Sequence, residues 1–214
     1  ALRGLGLGIA GTYTSQTGTV AQPLLPVFRT PAQSTFFRYR TGTTPTLADG
    51  ERTRLAPQLY YYVGRFGLLS EYTTVSQDVS RTTPAGRRED TLDTTAWQVQ
   101  ASWFLTGEEE SFRGFKPNNV FSLANDTWGA FELVARYQEL DPDDDAFVGG
   151  AASFADPANA ASQATAYGLG LNWYLNENLK WVLNYDHTSF DGGAADGAHR
   201  EDEDVFLARF SLGF

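Results

Sequence analysis

The stretch from Val205 to Phe214 alternates bulky apolar residues with small or polar ones and stops on an aromatic. Phe206, Ala208, Phe210, Leu212 and Phe214 share one face of a strand and Leu207, Arg209, Ser211 and Gly213 the other, because successive side chains in a strand point to opposite sides. Soluble sheets alternate too, but an alternating segment that ends on Phe is the expected form of the closing strand of an outer-membrane barrel. The rest of the chain is therefore read against one expectation, an all-β transmembrane antiparallel β-barrel.

Nine segments carry the alternation, roughly 2–13, 34–41, 53–63, 66–77, 93–105, 128–138, 165–175, 179–190 and 205–214, separated by turns rich in Gly, Asn, Asp and Pro. One parity reads as the lipid face, with Leu7 and Ile9, Phe37 and Tyr39, Leu55 and Leu59, Phe66 and Tyr72, Trp97 and Trp103, Leu133 and Tyr137, Leu169 and Trp173, and Trp181 and Tyr185. Trp97, Trp103, Trp128, Trp173, Trp181 and Phe214 are the expected membrane-interface aromatics. The opposite parity holds the charges. An Arg or Lys facing lipid at the bilayer midplane costs about 2–4 kcal/mol, so these residues are expected to face inward.

What is missing agrees with that reading. The 214 residues contain no Cys and no Met, while aromatics make up 14%. Such a composition suits passage through an oxidising periplasm followed by insertion between two aromatic girdles. No run approaches 18 apolar residues, which excludes a helical span. The absent Met predicts that residue 1 is not a translation start. Tight turns at Gly64-Arg65 and Asn176-Glu177-Asn178 read as periplasmic, and the long acidic connections 139–164 and 191–204 as surface loops. Nine strands ending in the periplasm make the first one run downward. That places 14–33 and 106–127 on the periplasmic side, and predicts that residues 1–214 form a single barrel domain lacking its N-terminal strands.

Several pieces of the chain resemble a known family: WGAFELVARY from Trp128 to Tyr137, YGLGLNWYLNENLKWVLNYD from Tyr167 to Asp186, ADGERTRLAPQLYYY and FGLLSEY between Ala48 and Tyr72, and ASWFLTG from Ala101 to Gly107. They are similar to the C-terminal half of the phosphate-selective porin O and P family. The resemblance implies a sixteen-stranded outer-membrane barrel, usually a homotrimer, in contact with outer-membrane lipid and lipopolysaccharide. It also implies a pore for small anions, with phosphate or polyphosphate selectivity in the namesake members. No cofactor, enzymatic activity or nucleic-acid partner is implied.

The charges give an independent reading of the same pore. Arg38, Arg40, Arg54, Arg136, Lys180 and Arg209 are expected as pore-lining anion contacts, with Glu71, Glu132 and Asp186 as counter-charges. The net charge of −10 comes from acid concentrated in the connections, including Glu108 to Glu110 and Glu201 to Asp204. Two roles for the cations stay open: raising the local anion concentration in a narrow pore, or pairing with the three acids to stiffen the wall. A general porin with the same barrel, and a scaffolding barrel that binds partner proteins through its loops and the segments 14–33 and 106–127, are the alternative functions.

Other motifs are accounted for by the barrel. Gly6-Leu7-Gly8-Ile9-Ala10-Gly11 fits a dinucleotide-binding string but lacks the strand before it and the helix after it. Asp141, Asp143 and Asp145 have the spacing of a calcium loop, yet Ala146 and Ala152 stand where that loop needs Gly and Glu. A solvated acidic loop, able at most to share a divalent ion with lipopolysaccharide phosphates, is the expectation there. His187 and Ser189 face opposite to Asp186 along their strand, which argues against a catalytic trio.

Overall fold

The computed structural model describes residues 3–213; Leu2 and Phe214, which the alternation places on the first and last strands, lie outside them. Ten strands follow in order: β1 (Leu5–Thr17), β2 (Val27–Arg29), β3 (Thr35–Arg38), β4 (Thr46–Val63), β5 (Phe66–Thr83), β6 (Gly86–Phe104), β7 (Ala130–Asp141), β8 (Ala161–Asn176), β9 (Leu179–Gly192) and β10 (Glu203–Leu212). Eight of them form one sheet in the order β1-β4-β5-β6-β7-β8-β9-β10, and β2 pairs with β3 in a separate ribbon. Every pairing is antiparallel, and among the described residues the outer edges of β1 and β10 remain open.

The lipid face assigned by parity is apolar and exposed along the sheet. Leu7 is 75% exposed, Ile9 72% and Leu169 65%, values that mark an interaction surface rather than a soluble exterior. Aromatics on this face fall into two rows that the register brings side by side. Phe66 lies opposite Trp103 and Phe131 opposite Trp173 in one row; Tyr72 lies opposite Trp97 and Tyr137 opposite Tyr167 in the other. Six residues separate the rows on a strand, about 20 Å along its axis at ~3.4 Å per residue.

The segment 34–41 departs from its expected role. It is not a wall strand, because β1 pairs directly with β4 from Leu5↔Tyr61 to Thr17↔Asp49 and leaves no place between them. Phe37 and Tyr39, expected against lipid, are instead buried with Phe36 in a core built from the connections and the inner face of the sheet, together with Phe154, Phe190, Val79 and Leu92. Phe36 and Phe37 explain this outcome. A wall strand offers lipid to one of two neighbouring residues and water to the other, whereas a folded-in ribbon buries both.

Removing that strand from the count reverses the direction of β1. Connection 18–45 therefore lies at the end that carries 142–160 and 193–202, as three contacts show: Arg40 N donates to Phe154 O at 2.8 Å, Arg200 Nη1 to Thr35 O at 3.0 Å, and Thr30 Oγ1 to Glu203 Oε1 at 2.6 Å. The expected placement of 14–33 beside 106–127 is thus corrected. Connection 105–129 sits at the other end with the tight turns, where Glu110 N donates to Gly64 O and Phe121 N to Leu175 O, both at 2.7 Å.

Strands β4, β5 and β6 run for 18, 18 and 19 residues. A tilted span needs only about 9–11, so this part of the wall continues beyond the lipid. Residues 78–92 carry little apolar alternation because their outer face is polar and their inner face packs against the connections through only a few residues such as Val79, Arg81 and Leu92, yet pairing persists through Arg81↔Arg88 to Thr83↔Gly86.

Candidate functional site: the inner wall

The alternation that gives lipid its apolar face aims polar side chains at the concave side. A groove of about 320 Å³ on that side is lined by Glu132, Arg136, Asn172, Lys180, Asp186 and Arg209 among others. Register sets these residues in lateral rows. Gln58, Glu71, Gln98 and Gln138 follow one another across β4 to β7, and one row nearer the turns run Tyr60, Leu69, Gln100, Arg136, Gly168 and Asp186.

Glycines in this wall make room for their neighbours. Asp186 reaches across Gly168, where a Cβ would stand 2.2 Å from its Oδ1, and accepts a hydrogen bond from Arg136 Nη2 at 3.2 Å. Gly170 likewise leaves space for Asn184, Gly6 for Tyr60 and Gly8 for Gln58. We expect Gly168→Val to expel Asp186 from this contact and destabilise the fold by about 1–3 kcal/mol. The urea midpoint in detergent measures it. Gly11→Val is the control, since a Cβ there meets only ordinary contacts at 3.6 Å and beyond.

The three expected counter-charges differ in partners. Asp186, with a side chain only 4% exposed, pairs with Arg136. Glu71 Oε2 accepts from Gln98 Nε2 at 3.2 Å. Glu132 Oε2 accepts from Asn172 Nδ2 and Tyr174 Oη, both at 2.8 Å. Among the expected cations, Arg136 alone pairs with one of these acids. Lys180 Nζ lies 5.2 Å from the Tyr174 ring centre, and Arg209 and Arg54 have no acid within 4 Å among the described residues. Arg54 stands on β4 between Thr12 and Val75.

Arg38 and Arg40 belong to the inward ribbon and its exit, not to the wall. Both border a cavity at the loop end with Arg81, Asp156 and Asn159. Arg40 is held by Asp156 at 3.4 Å and by Ser153 Oγ at 3.1 and 3.2 Å. Its guanidinium fastens two connections to each other.

Connection 105–129 covers the concave side of the wall at the turn end. Phe112 stacks on Tyr60 at 4.6 Å, and Phe115 meets the edges of Phe104 and Tyr174 at 4.3 and 4.6 Å. Ser102 Oγ donates to Glu110 Oε1. The chain then crosses to the lipid side, where Phe121 packs on Trp128 and Trp173.

A family model described as phosphate-selective porin O and P matches residues 32–214. The chain belongs to that family. Porin O from Pseudomonas aeruginosa is 29% identical to it over 120 residues, which are 55% of this chain and 26% of that protein. The matched part thus spans about a quarter of that relative's length.

Three arginines of this family member were not singled out in the sequence. Arg52 shares the inward parity of Arg54, so period two alone could have found it; its buried Nε has no hydrogen-bond partner in the protein. Arg29 and Arg81 left no such signal, because their positions depend on how the connections fold. Arg81 donates to the carbonyls of Thr44, Ala151 and Ser153 and clamps the loop end. Elsewhere on the sheet, Trp97 donates to Glu139 at 3.4 Å, Trp173 to the carbonyl of Trp128 at 2.6 Å, and Trp181 packs on Phe210; Trp103 is exposed on the lipid face. Asp143 accepts from the backbone N–H groups of Asp145 and Asp93, and Asp141 accepts from Gln163. Among the described residues no three acidic or histidine side chains converge on a metal position.

Proposed function

We infer that this chain is part of the wall of an outer-membrane porin, a passive channel rather than an enzyme, through which small anions such as phosphate diffuse. The observation that carries the reading is the pair Arg52 and Arg54, two residues apart on the inner face of β4 with no acid within 4 Å among the described residues. Unpaired guanidinium groups in a confined pore concentrate anions and offer planar donors to phosphate oxygens. Lys180 and Arg209 extend the same field toward the turn end, and Arg38 supplies it at the loop end. Arg136 is matched by Asp186 and contributes less.

The long connections 18–45, 142–160 and 193–202 face outside the cell in this reading, and the turns and 105–129 face the periplasm. The open sheet edges are completed by further wall strands, and the lipid face is shared between outer-membrane lipid, lipopolysaccharide and neighbouring subunits of a homotrimer. Solute meets acidic loops, passes the basic wall and leaves down its gradient. Phosphate selectivity is what the relative's family description attributes to such pores.

The test is the reversal potential of the full-length protein in a planar bilayer under a KCl gradient. Anion preference is expected, with a clear loss of it in the Arg52→Ala, Arg54→Ala double variant. Cation preference in the unmodified protein favours a general porin, and a silent protein favours a scaffolding barrel.

A further inference from the structure

Between the inward ribbon and the wall lies a cavity of about 280 Å³, bordered on the ribbon side by Arg29, Pro31 and Phe36 and on the wall side by Glu71, Gln98 and Gln138. One cation and one anion thus face a common space from two different elements, and they are not within ion-pair distance of each other or of another opposite charge among the described residues. Glu71 has its one side-chain hydrogen bond from Gln98, which leaves acceptor capacity on the carboxylate. Arg29 has its whole guanidinium available. Glu139 also borders the cavity, but its carboxylate accepts from Trp97 and Tyr137 on the lipid side and takes no part.

The backbone positions that carry the two charges are held in place. Thr30, next to Arg29, is 3% exposed and donates to Glu203 Oε1 at 2.6 Å, while its own hydroxyl accepts from Ser34 N at 3.2 Å. Arg200 holds the other strand of the ribbon through the carbonyl of Thr35. Glu71 is placed by the continuous register of β4, β5 and β6. A solute of a single charge matches one of the two groups and is repelled by the other, whereas one that brings both charges matches both.

We propose that this cavity is a binding subsite for small zwitterions that carry a carboxylate, an ammonium group and a short apolar side chain, as free aliphatic amino acids do. The carboxylate takes the two parallel N–H donors of Arg29, the ammonium donates to Glu71 and the amide oxygens of Gln98 and Gln138, and the side chain lies on Pro31 and Leu140. The assignment rests on the porin reading only in that solute reaches the cavity through the lumen. It adds a second solute class to the anions handled by Arg52 and Arg54.

The experiment is calorimetric titration of the folded full-length protein in detergent with L-valine, with isovalerate and isobutylamine as solutes that carry one charge each. Saturable binding of valine is expected, with both controls at least tenfold weaker, and a tenfold or greater loss in Arg29→Gln and separately in Glu71→Gln. No valine binding, or equal binding of isovalerate, overturns the proposal. The same samples in planar bilayers separate this outcome from the fate of the porin reading: anion current without valine binding removes the subsite alone, and valine binding by a silent protein removes the channel and keeps the subsite.

Discussion

Phe37→Ala is expected to loosen the whole loop end of the protein. The ring is fully buried, stacks on Phe28 at 5.4 Å and meets Tyr39 and Phe147 edge-on at 5.0 and 5.9 Å. Truncation of such a ring costs about 3–5 kcal/mol, part as lost transfer energy and part as the cavity left behind. The barrel wall keeps its backbone ladder and its lipid face, so the cost falls on the docking of the β2–β3 ribbon against 142–160 and β9. Two measurements check this. Trypsin should cut at Arg29, Arg38 or Arg40 in the folded variant but not in the unmodified protein, and single-channel conductance of the full-length protein should rise as the ribbon leaves the lumen. Unchanged conductance with the ribbon cleaved would mean that it does not narrow the pore.

The second large effect concerns pH and connection 105–129. Burial and the neighbouring Glu132 push the Glu110 carboxyl up to about 7, opposed by the hydrogen bond from Ser102. The other charged or titratable groups around it are Tyr62 on β4, Tyr174 on β8, and Lys180 on β9, which lies against Tyr174. Glu108 and Arg113 belong to the connection itself, and Arg65 to the turn beside it. The docked connection therefore holds a proton that a detached one releases at the ordinary carboxylate value. Docking is fully favoured below that value, weakens as pH rises, and reaches its lowest level above about 7, where two carboxylates face each other. A spin label placed at Ser111 should become more mobile between about pH 4.5 and 7.5. Glu110→Gln, which cannot ionise, should keep the label at its low-pH mobility throughout. If the unmodified protein shows no change with pH, the pair is already ionised and held by its hydrogen bonds alone.

How far the sequence could be read differs from element to element. The strands from Phe66 to Tyr72, Trp97 to Phe104 and Leu169 to Trp173 were legible because water and lipid sit on opposite sides of a thin wall and impose period two on every residue between them. Arg54, Lys180 and Arg209 were legible for the same reason. The extension 78–92 was not, since beyond the lipid no apolar outer face is required and the inner face is covered by connections through scattered residues such as Val79 and Leu92, so the period fades while the hydrogen bonds continue. Segment 34–41 misled because a short apolar ribbon buried inside the pore alternates weakly, much as a wall strand does. The neighbouring pair Phe36 and Phe37 was the sign that both of its faces needed cover.

Sequence by itself determined the class of this protein, the two faces of its wall and most of the charges that look inward. These follow from local rules: side chains alternate along a strand, and a charge facing lipid at the bilayer midplane is too costly to keep. Only the tertiary structure decided which cations are paired. Arg136 is matched because a glycine lets Asp186 cross a strand, Arg40 is matched because two connections meet, and Arg29 faces Glu71 across a cavity because a ribbon folds inward. Pairing depends on contacts between residues far apart in the chain, and no periodicity along the chain encodes them.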